Sequence, residues 1–451
     1  MTRAYFGTDG VRGPYGGPLV NEAFAARLGH AAAVWARRAA PEAGDLVLIG
    51  RDTRSSGPAL ERAVAAGLRS GGLRPMSLGV APTPAVAREV AARGARLGVV
   101  ITASHNPASD NGIKFFDTGG RKLDDAREAA IEAALPAPDF RPPGMDLEVE
   151  RDAPGEAEAR YVDALAGGLP SGCLAGWRIV ADAAHGATAR TTPAALRRLG
   201  ADVEVIGGEP DGSNINAGVG SEHPEQLVRA VVAGGARLGV AHDGDGDRCV
   251  LCDETGGILD GDEILTILAL DALRRDALAA RALVVTVQSN LGVDAAIRAA
   301  GGRVERTDVG DRYVLERLHA IGAKLGGESS GHVVNLEMSP TGDGLAAALG
   351  VLAIMAREKR PLSELRRALR KYPQGTRNLR LAHKRPFEEC TALVGELAAL
   401  TRELGDAGRV MARFSGTEPK LRLLAEAGDE AVVAAALGRL EIAARRDLAV
   451  A

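Results

Sequence analysis

The stretch Leu97-Gly98-Val99-Val100-Ile101-Thr102-Ala103-Ser104-His105-Asn106-Pro107 decides how this chain is read. Its first five residues form an apolar run of the length of a buried strand. Asn106-Pro107, and then Asn111-Gly112, stop regular structure. Ser104 therefore falls on a tight turn at the carboxyl end of a strand, which is where open α/β sheets bind ligands. A hydroxyl there, with His105 beside it and Lys114 further on, is a candidate nucleophile. The same residues also suit a polar turn whose serine caps a helix. The rest of the chain has to choose between these readings.

Toward the amino terminus, Phe6-Gly-Thr-Asp-Gly-Val-Arg-Gly13 is glycine-rich and carries Arg12. Helices are expected over 22–38 and 58–69, with a strand over 46–49 and a polar turn over 50–57. Strands alternating with helices predict a largely parallel sheet covered on both faces. Toward the carboxyl terminus, residues 135–155 are rich in Pro, Gly, Asp and Glu and read as a linker. A second α/β block follows, with strands over 178–181, 203–206 and 238–241. Its polar loops are Asp182-Ala-Ala-His-Gly186, Asp211-Gly-Ser-Asn-Ile-Asn-Ala-Gly218 and His242-Asp-Gly-Asp-Gly-Asp-Arg248. A third block starts near Asp260, with a helix over 262–274, a strand over 283–287 and a closing helix that ends near Tyr372. The remaining residues, about 375–451, alternate differently and read as a small α+β domain.

A short repeat links the blocks. Ala95-Arg-Leu-Gly98, Ala236-Arg-Leu-Gly239 and Ala323-Lys-Leu-Gly326 each lead into one of the special loops. This predicts three related α/β domains, each presenting a loop from an equivalent strand end. The expected divisions are 1–150, 151–258, 259–373 and 374–451.

Length and composition set the limits. The chain has 451 residues, enough for several domains. Hydrophobic residues make up 46% and charged residues 25%, which excludes a disordered chain. The net charge is -4 and aromatics are 3%, so neither a phosphate-neutralising stripe nor a stacking platform for nucleic acid is present. No run is long enough to span a bilayer, the first residues have no apolar signal core, and a cytoplasmic protein is expected. The four cysteines make no disulfide framework. Cys249-Val-Leu-Cys252 lies in a strand pattern with no second pair for zinc, so buried structural thiols are expected.

Asp243-Gly-Asp-Gly-Asp247 is the strongest chemical signal. Three carboxylates alternate with glycines that let the backbone fold round an ion, and oxygen-only ligands suit Mg²⁺ or Ca²⁺. The spacing also fits a calcium EF-hand, but that loop needs glycine where Arg248 stands and helices where strands are expected. A Mg²⁺ site with positions left for a phosphate oxygen fits better, and Arg248 adds a fixed positive charge. Arg413-Phe-Ser-Gly-Thr-Glu-Pro419, followed by Arg422, suits a phosphate cradle, although Ser-Gly-Thr-Glu is also a helix-capping pattern. Gly327-Glu-Ser-Ser-Gly-His332 puts a carboxylate, hydroxyls and an imidazole on one loop, suited to sugar hydroxyls. Val309-Gly-Asp-Arg312 equally reads as an ordinary helix start.

Taken together, Phe6-Gly-Thr-Asp-Gly, Thr102-Ala-Ser-His-Asn-Pro107, Asp243-Gly-Asp-Gly-Asp-Arg248, Gly327-Glu-Ser-Ser-Gly-His332 and Ser415-Gly-Thr-Glu-Pro419 resemble the α-D-phosphohexomutase superfamily, in its order and spacing from end to end. Asn111-Gly-Ile-Lys-Phe-Phe116, Asp211-Gly-Ser-Asn-Ile-Asn216, Val309-Gly-Asp-Arg-Tyr-Val314 and Thr341-Gly-Asp-Gly344 are most similar to its bacterial members that act on glucosamine phosphates. The resemblance implies three α/β domains with mixed sheets and a TATA-binding-protein-like α+β domain round a central cleft. It implies that Ser104 is a phosphoserine, that Asp243, Asp245 and Asp247 bind Mg²⁺ together with an oxygen at Ser104, and that Lys114 moves protons with Arg12 nearby. His105 and His332 join the candidate catalytic set. Arg248, Glu328 and Ser330 are implied sugar or phosphate contacts, and Arg413, Ser415, Gly416, Thr417 and Arg422 the phosphate loop. Three residues depart from the pattern: Ser329 stands where a larger polar residue is common, Phe414 where proline is common, and Lys420 where an apolar residue is common.

The implied activity interconverts the 6- and 1-phosphates of glucosamine through a bisphosphorylated sugar, feeding UDP-N-acetylglucosamine and cell-wall precursors. Related glucose or mannose phosphate mutases, and a non-catalytic sugar-phosphate sensor, are the alternatives. A sugar phosphate is the expected partner, with no nucleic acid and no membrane, and a homodimer is left open.

Overall fold

The computed structural model describes residues 4–7, 9–383, 385–415 and 419–450. They form two compact units, one of residues 1–288 with 300–368, the other of 289–299 with 369–451.

The larger unit holds three sheets. The first contains β1 (Val11–Pro14), β2 (Leu46–Arg51), β3 (Arg74–Val80), β4 (Leu97–Ile101), β5 (Asp110–Phe116) and β6 (Glu150–Arg151), in the order β1-β5-β4-β2-β3-β6. The second contains β7 (Arg178–Asp182), β8 (Asp202–Ile206), β9 (Leu238–His242), β10 (Cys249–Asp253) and β11 (Ile258–Leu259), ordered β11-β10-β9-β7-β8. The third contains β12 (Ala282–Thr286), β13 (Arg303–Thr307), β14 (Leu325–Gly327) and β15 (Val333–Asn335), ordered β13-β12-β14-β15.

One pattern runs through all three. β2, β7 and β12 each lie between two parallel neighbours: β3 and β4, β8 and β9, β13 and β14. β4, β9 and β14 then pair antiparallel with the next strand, β5, β10 and β15. The sheets are therefore mixed, and the largely parallel sheet expected from alternation holds only for their centres. β4, β9 and β12 are buried along their whole length, which is why they read as continuous apolar runs.

The sequence repeat has a packing cause. A Cβ on Gly98 would lie 2.6 Å from the Val90 side chain, one on Gly239 2.8 Å from Val231, and one on Gly326 2.9 Å from Val314. Each valine belongs to the helix that precedes the strand: Thr83–Ala92, Glu225–Gly234 and Asp311–Ile321. The glycine lets that helix lie directly on the sheet. Helix ends follow ordinary capping chemistry. Asn21 accepts from the Phe24 N–H ahead of Glu22–Ala39, and Asp260 with Glu263 forms a capping box ahead of Gly261–Arg274.

The smaller unit contains β16 (Gln374–Arg380), β17 (Gly408–Phe414) and β18 (Lys420–Ala427), an antiparallel sheet in the order β16-β18-β17. Leu421, Leu423 and Ala425 of β18 share a core with Leu393 and Leu400 of helix Thr391–Leu404 and with Leu437 and Leu440 of helix Glu430–Asp447. Helix Leu291–Ala299 belongs to this unit too, with the Leu291 N–H donating to the Glu426 carboxylate at 2.7 Å.

Two local expectations are corrected. The stretch read as a linker contains β6, which extends the first sheet beside β3. The closing helix stops earlier than Tyr372: Leu362–Leu365 runs into a 3₁₀ turn that ends at Ala368. Cys249 and Cys252 are buried on β10, and burial pushes the Cys252 thiol up to about 12.

Candidate active site

Topology brings three loops to equivalent places. The connection from β4 to β5 carries Ser104, that from β9 to β10 carries Asp243, Asp245 and Asp247, and that from β14 to β15 carries Glu328, Ser330 and His332. All three lie in the larger unit.

Ser104 is 1% exposed and has φ 54°, the left-handed region that non-glycine residues enter rarely. Its hydroxyl donates to Asp243 Oδ2, and its Oγ lies 3.4 Å from His105 Nδ1. Ser104 is thus on a strand-end turn and caps no helix. Burial, and then the Arg248 charge, hold the His105 imidazole below its ordinary pKa, in its neutral form.

The three aspartates are buried, and one oxygen from each lies within 4.8 Å of the others. The loop is too tight for larger residues: a Cβ on Gly244 would sit 2.7 Å from the Ser104 carbonyl oxygen. Burial, with Asp245 and Asp247 beside it, pushes the Asp243 carboxyl well above its ordinary range. Burial and Asp247 act the same way on Asp245, but Lys114 and the Thr83 hydroxyl outweigh them and hold it down. Asp247 is held well below its ordinary range, because Lys114 and His332 outweigh its burial. Asp245 Oδ1 and Asp247 Oδ1 are buried without a hydrogen-bond partner. Clustered carboxylates with unbonded buried oxygens, within the span of one coordination shell, fit a divalent cation. The flanking elements are strands, so the EF-hand is excluded here.

Cations surround this cluster. Lys114, on β5, lies 3.0 Å from Asp245, 2.9 Å from Asp9 and 3.7 Å from Asp247. Burial favours its neutral amine, but Asp245 and Asp9 outweigh that and keep it an ammonium. Arg12, on β1, pairs with Asp9. Arg248 lies 4.0 Å from Asp247 and 3.8 Å from Glu222. His332 faces Asp247 at 3.6 Å and Asp311 at 3.3 Å. Glu328 accepts from the Gly310 N–H at 3.1 Å, and its burial raises its pKa. Ser330 is exposed on the same loop.

Sequence reasoning passed over four members of the cluster. Asp9 joins Lys114 to Lys122, with Lys122 at 2.7 Å. Lys122 also pairs with Asp311 at the start of helix Asp311–Ile321. Thr83 donates to Asp245 at 2.7 Å. Asp9 and Asp311 sat inside quoted motifs without a role, while Lys122 and Thr83 carry no local signal.

In the smaller unit, Arg413 on β17 and Arg422 on β18 are direct cross-strand partners, so both side chains leave one face of the sheet. The Ser415 N–H donates to the Lys420 carbonyl at 2.8 Å and closes the hairpin. Gly416 and Thr417 lie outside the described residues.

A buried serine hydroxyl on a carboxylate cluster that fits a divalent cation, ringed by fixed cations, defines a class: machinery for phosphoryl transfer. Comparison with known proteins makes this specific. Family models for phosphoglucomutase/phosphomannomutase match along the chain: alpha/beta/alpha domain I over 3–142, domain II over 159–257, domain III over 260–372, and the C-terminal domain over 377–440. The phosphoglucosamine mutase of Symbiobacterium thermophilum is 47% identical over 94% of this chain and 95% of its own, and that of Halorhodospira halophila 46% identical over 96% and 94%. A solved phosphoglucomutase/phosphomannomutase family protein from Burkholderia thailandensis superposes with TM-score 0.82 at 25% identity, covering 98% of this chain and 97% of that one. An N-acetylphosphoglucosamine mutase from Aspergillus fumigatus, solved with GlcNAc-6P and magnesium, shares the fold at TM-score 0.62 and 18% identity, covering 99% and 96%. The chain belongs to the phosphoglucomutase/phosphomannomutase family, within the α-D-phosphohexomutase superfamily, and in it to the bacterial phosphoglucosamine mutases.

Proposed function

We propose that this enzyme interconverts glucosamine 6-phosphate and glucosamine 1-phosphate, with Ser104 as the carrier of the phosphoryl group. The observation that carries the reading is the Ser104 hydroxyl resting on Asp243 while Lys114 bridges Asp9 and Asp245. In the first transfer the bond from Ser104 Oγ to phosphorus breaks and a free sugar hydroxyl bonds to that phosphorus. The sugar hydroxyl loses a proton and the serine oxygen gains one. Lys114, an ammonium, suits protonation of the serine oxygen, and neutral His105 suits proton acceptance. The sugar bisphosphate then turns over, and its other phosphate returns to Ser104. Arg12, Arg248 and His332 supply positive charge round the transferring group, where little covalent work is needed and positioning dominates. Glu328 and Ser330 hold sugar hydroxyls, and Arg413, Ser415, Gly416, Thr417 and Arg422 are assigned to binding phosphate.

The cation assigned to Asp243, Asp245 and Asp247 is Mg²⁺. Few protein ligands and open positions for phosphate oxygens suit it better than Ca²⁺, and when bound it neutralises charge on the transferring oxygens. We place the enzyme in the cytoplasm: its cysteines are free thiols, as a reducing compartment requires. Among the described residues no helix is long and apolar enough to cross a membrane.

The test is turnover of glucosamine 6-phosphate against glucose and mannose 6-phosphates, with peptide mapping of the phosphate. Glucosamine 6-phosphate is expected to be preferred, with slow leakage to glucose phosphates, and phosphate is expected on Ser104. Preference for glucose or mannose phosphate would move the enzyme to the neighbouring mutases. Phosphate on another residue would end the Ser104 mechanism.

A further inference from the structure

Ser104 holds a left-handed backbone conformation without being glycine. Something must hold it there. Its N–H donates to Thr102 Oγ1 at 2.9 Å, and Thr102 Oγ1 donates to Asp52 at 2.7 Å. Its carbonyl accepts from Arg54 Nη2 at 3.0 Å and from Asn216 Nδ2 at 2.9 Å. Both peptide planes that flank the Ser104 Cα are therefore fixed, and with them the direction of its Cβ and Oγ.

Arg54 is the centre of this arrangement. It is fully buried at 0% exposure. Its Nε donates to Asp52 at 2.9 Å, Nη1 to the carbonyls of Pro107 and Asp110, and Nη2 to those of Ser104 and Asn106. A guanidinium has five N–H donors in a rigid fork, and all of them are used here. Four of the five acceptors are backbone carbonyls, three in the loop from β4 to β5 and the fourth on Asp110, the first residue of β5. Asn216, from the second α/β block, repeats two of these contacts by donating to Ser104 and Asn106.

We infer that Arg54 is a positioning residue for the nucleophile: anchored on Asp52 and donating to four backbone carbonyls from Ser104 to Asp110, seconded by Asn216, it holds the Ser104 loop in the one backbone conformation that aims Oγ at the aspartate cluster. The inference rests on Ser104 being the phosphoryl carrier. Lysine cannot replace Arg54, because an ammonium has three donors at one point and no fork. The loss falls on the transfer step, since Arg54 is buried against the loop's backbone and none of its donors is left for a sugar.

Arg96 provides an internal control. It too is buried and donates to four backbone carbonyls, of Ala36, Ala40, Ala43 and Gly44, none of them on this loop.

The experiment compares Arg54→Lys, Asn216→Asp, Arg96→Lys and Ser104→Ala in the full-length enzyme. It measures kcat and KM for glucosamine 6-phosphate, thermal melting, and phosphate on Ser104 by mass. Arg54→Lys is expected to lower kcat by about 10²-fold with KM changed by no more than about twofold, as for a misplaced reacting group. Asn216→Asp, of the same shape but without the donor, is expected to lower kcat by about tenfold. Arg96→Lys is expected to melt earlier and keep kcat. Full kcat in Arg54→Lys, or an equal loss of kcat in Arg96→Lys, overturns the inference. If Arg54→Lys does not fold, Asn216→Asp decides, and an unchanged kcat there overturns it. Turnover retained in Ser104→Ala would instead overturn the phosphoserine reading, whatever Arg54 does.

Discussion

The loop from β4 to β5 and the loop from β9 to β10 leave equivalent strands of sheets with the same order, yet they are built in opposite ways. The Ser104 loop wraps its backbone carbonyls round a buried cation, Arg54, that reaches it from the turn after β2. The aspartate loop turns anionic side chains inward, is kept narrow by glycines, and leaves two carboxylate oxygens without hydrogen bonds. Equivalent topology therefore supplies two positions and not one chemistry. The first loop is held rigid by hydrogen bonds from Arg54 and Asn216, as a nucleophile requires. The second gathers like charges whose mutual repulsion a divalent cation relieves.

This contrast can be broken at either loop. The largest effect is expected from Ser104→Ala, which removes the group that carries phosphate. Turnover should fall by roughly 10⁴-fold or more, as when other covalent nucleophiles are lost. The melting shift produced by Mg²⁺ should be smaller than in the parent, because Ser104 supplies one of the oxygens offered to the ion; an unchanged shift would mean that the aspartates hold the ion without it.

Asp245→Asn strikes the second loop. Its rate should drop by about 10²–10³-fold, the usual cost of one charge stabiliser. The thermal shift produced by Mg²⁺ should shrink, and the metal-free protein should melt somewhat earlier, because the Asp245 charge is paired with buried Lys114 and Thr83. Unchanged Mg²⁺ dependence of the rate would overturn the metal assignment.

Gly244→Ala tests the seam between the loops, where the added Cβ would meet the Ser104 carbonyl and the Ile215 side chain at 2.7 Å. Overpacking of this kind costs about 1–3 kcal/mol, which calorimetry would read as a lower melting temperature. It should also lower kcat, by less than Asp245→Asn does. An alanine variant with parental stability and rate would mean that the seam is slack.

The smallest effect is expected outside both loops. Arg422→Ala should lower kcat/KM for glucosamine and glucose phosphates alike, by roughly tenfold, as for one charge-assisted hydrogen bond. The loss should fall on KM, in contrast with the two loops. A variant that loses one sugar and keeps the other would mean that Arg422 reads the ring.

Much of this was legible along the chain because it is encoded locally. Buried strands such as β4 and β9 are continuous apolar runs, and the repeated glycine before each special loop leaves room for side chains of the preceding helix, a valine among them each time. The aspartate triplet and the Ser104 turn declare themselves because their ligands or turn residues are neighbours in sequence. The antiparallel strands β5, β10 and β15 were harder to read, because a strand's direction depends on its partner and not on its own residues.

What the sequence by itself determined was the alternation of strands and helices, the family motifs, and the residue types offered for chemistry. Only the tertiary structure decided who partners whom. Asp9 meets Lys114 and Lys122, Thr83 meets Asp245, and Asp311 meets Lys122 and His332. Each pair is far apart in sequence or carried by single unremarkable residues. Arg54 is the extreme case: in sequence it is one arginine in a polar turn, Gly50-Arg-Asp-Thr-Arg-Ser-Ser-Gly57. Four of its five donors find their acceptors only when β2 lies beside β4, because a buried guanidinium is stable only where folding has brought every partner to it.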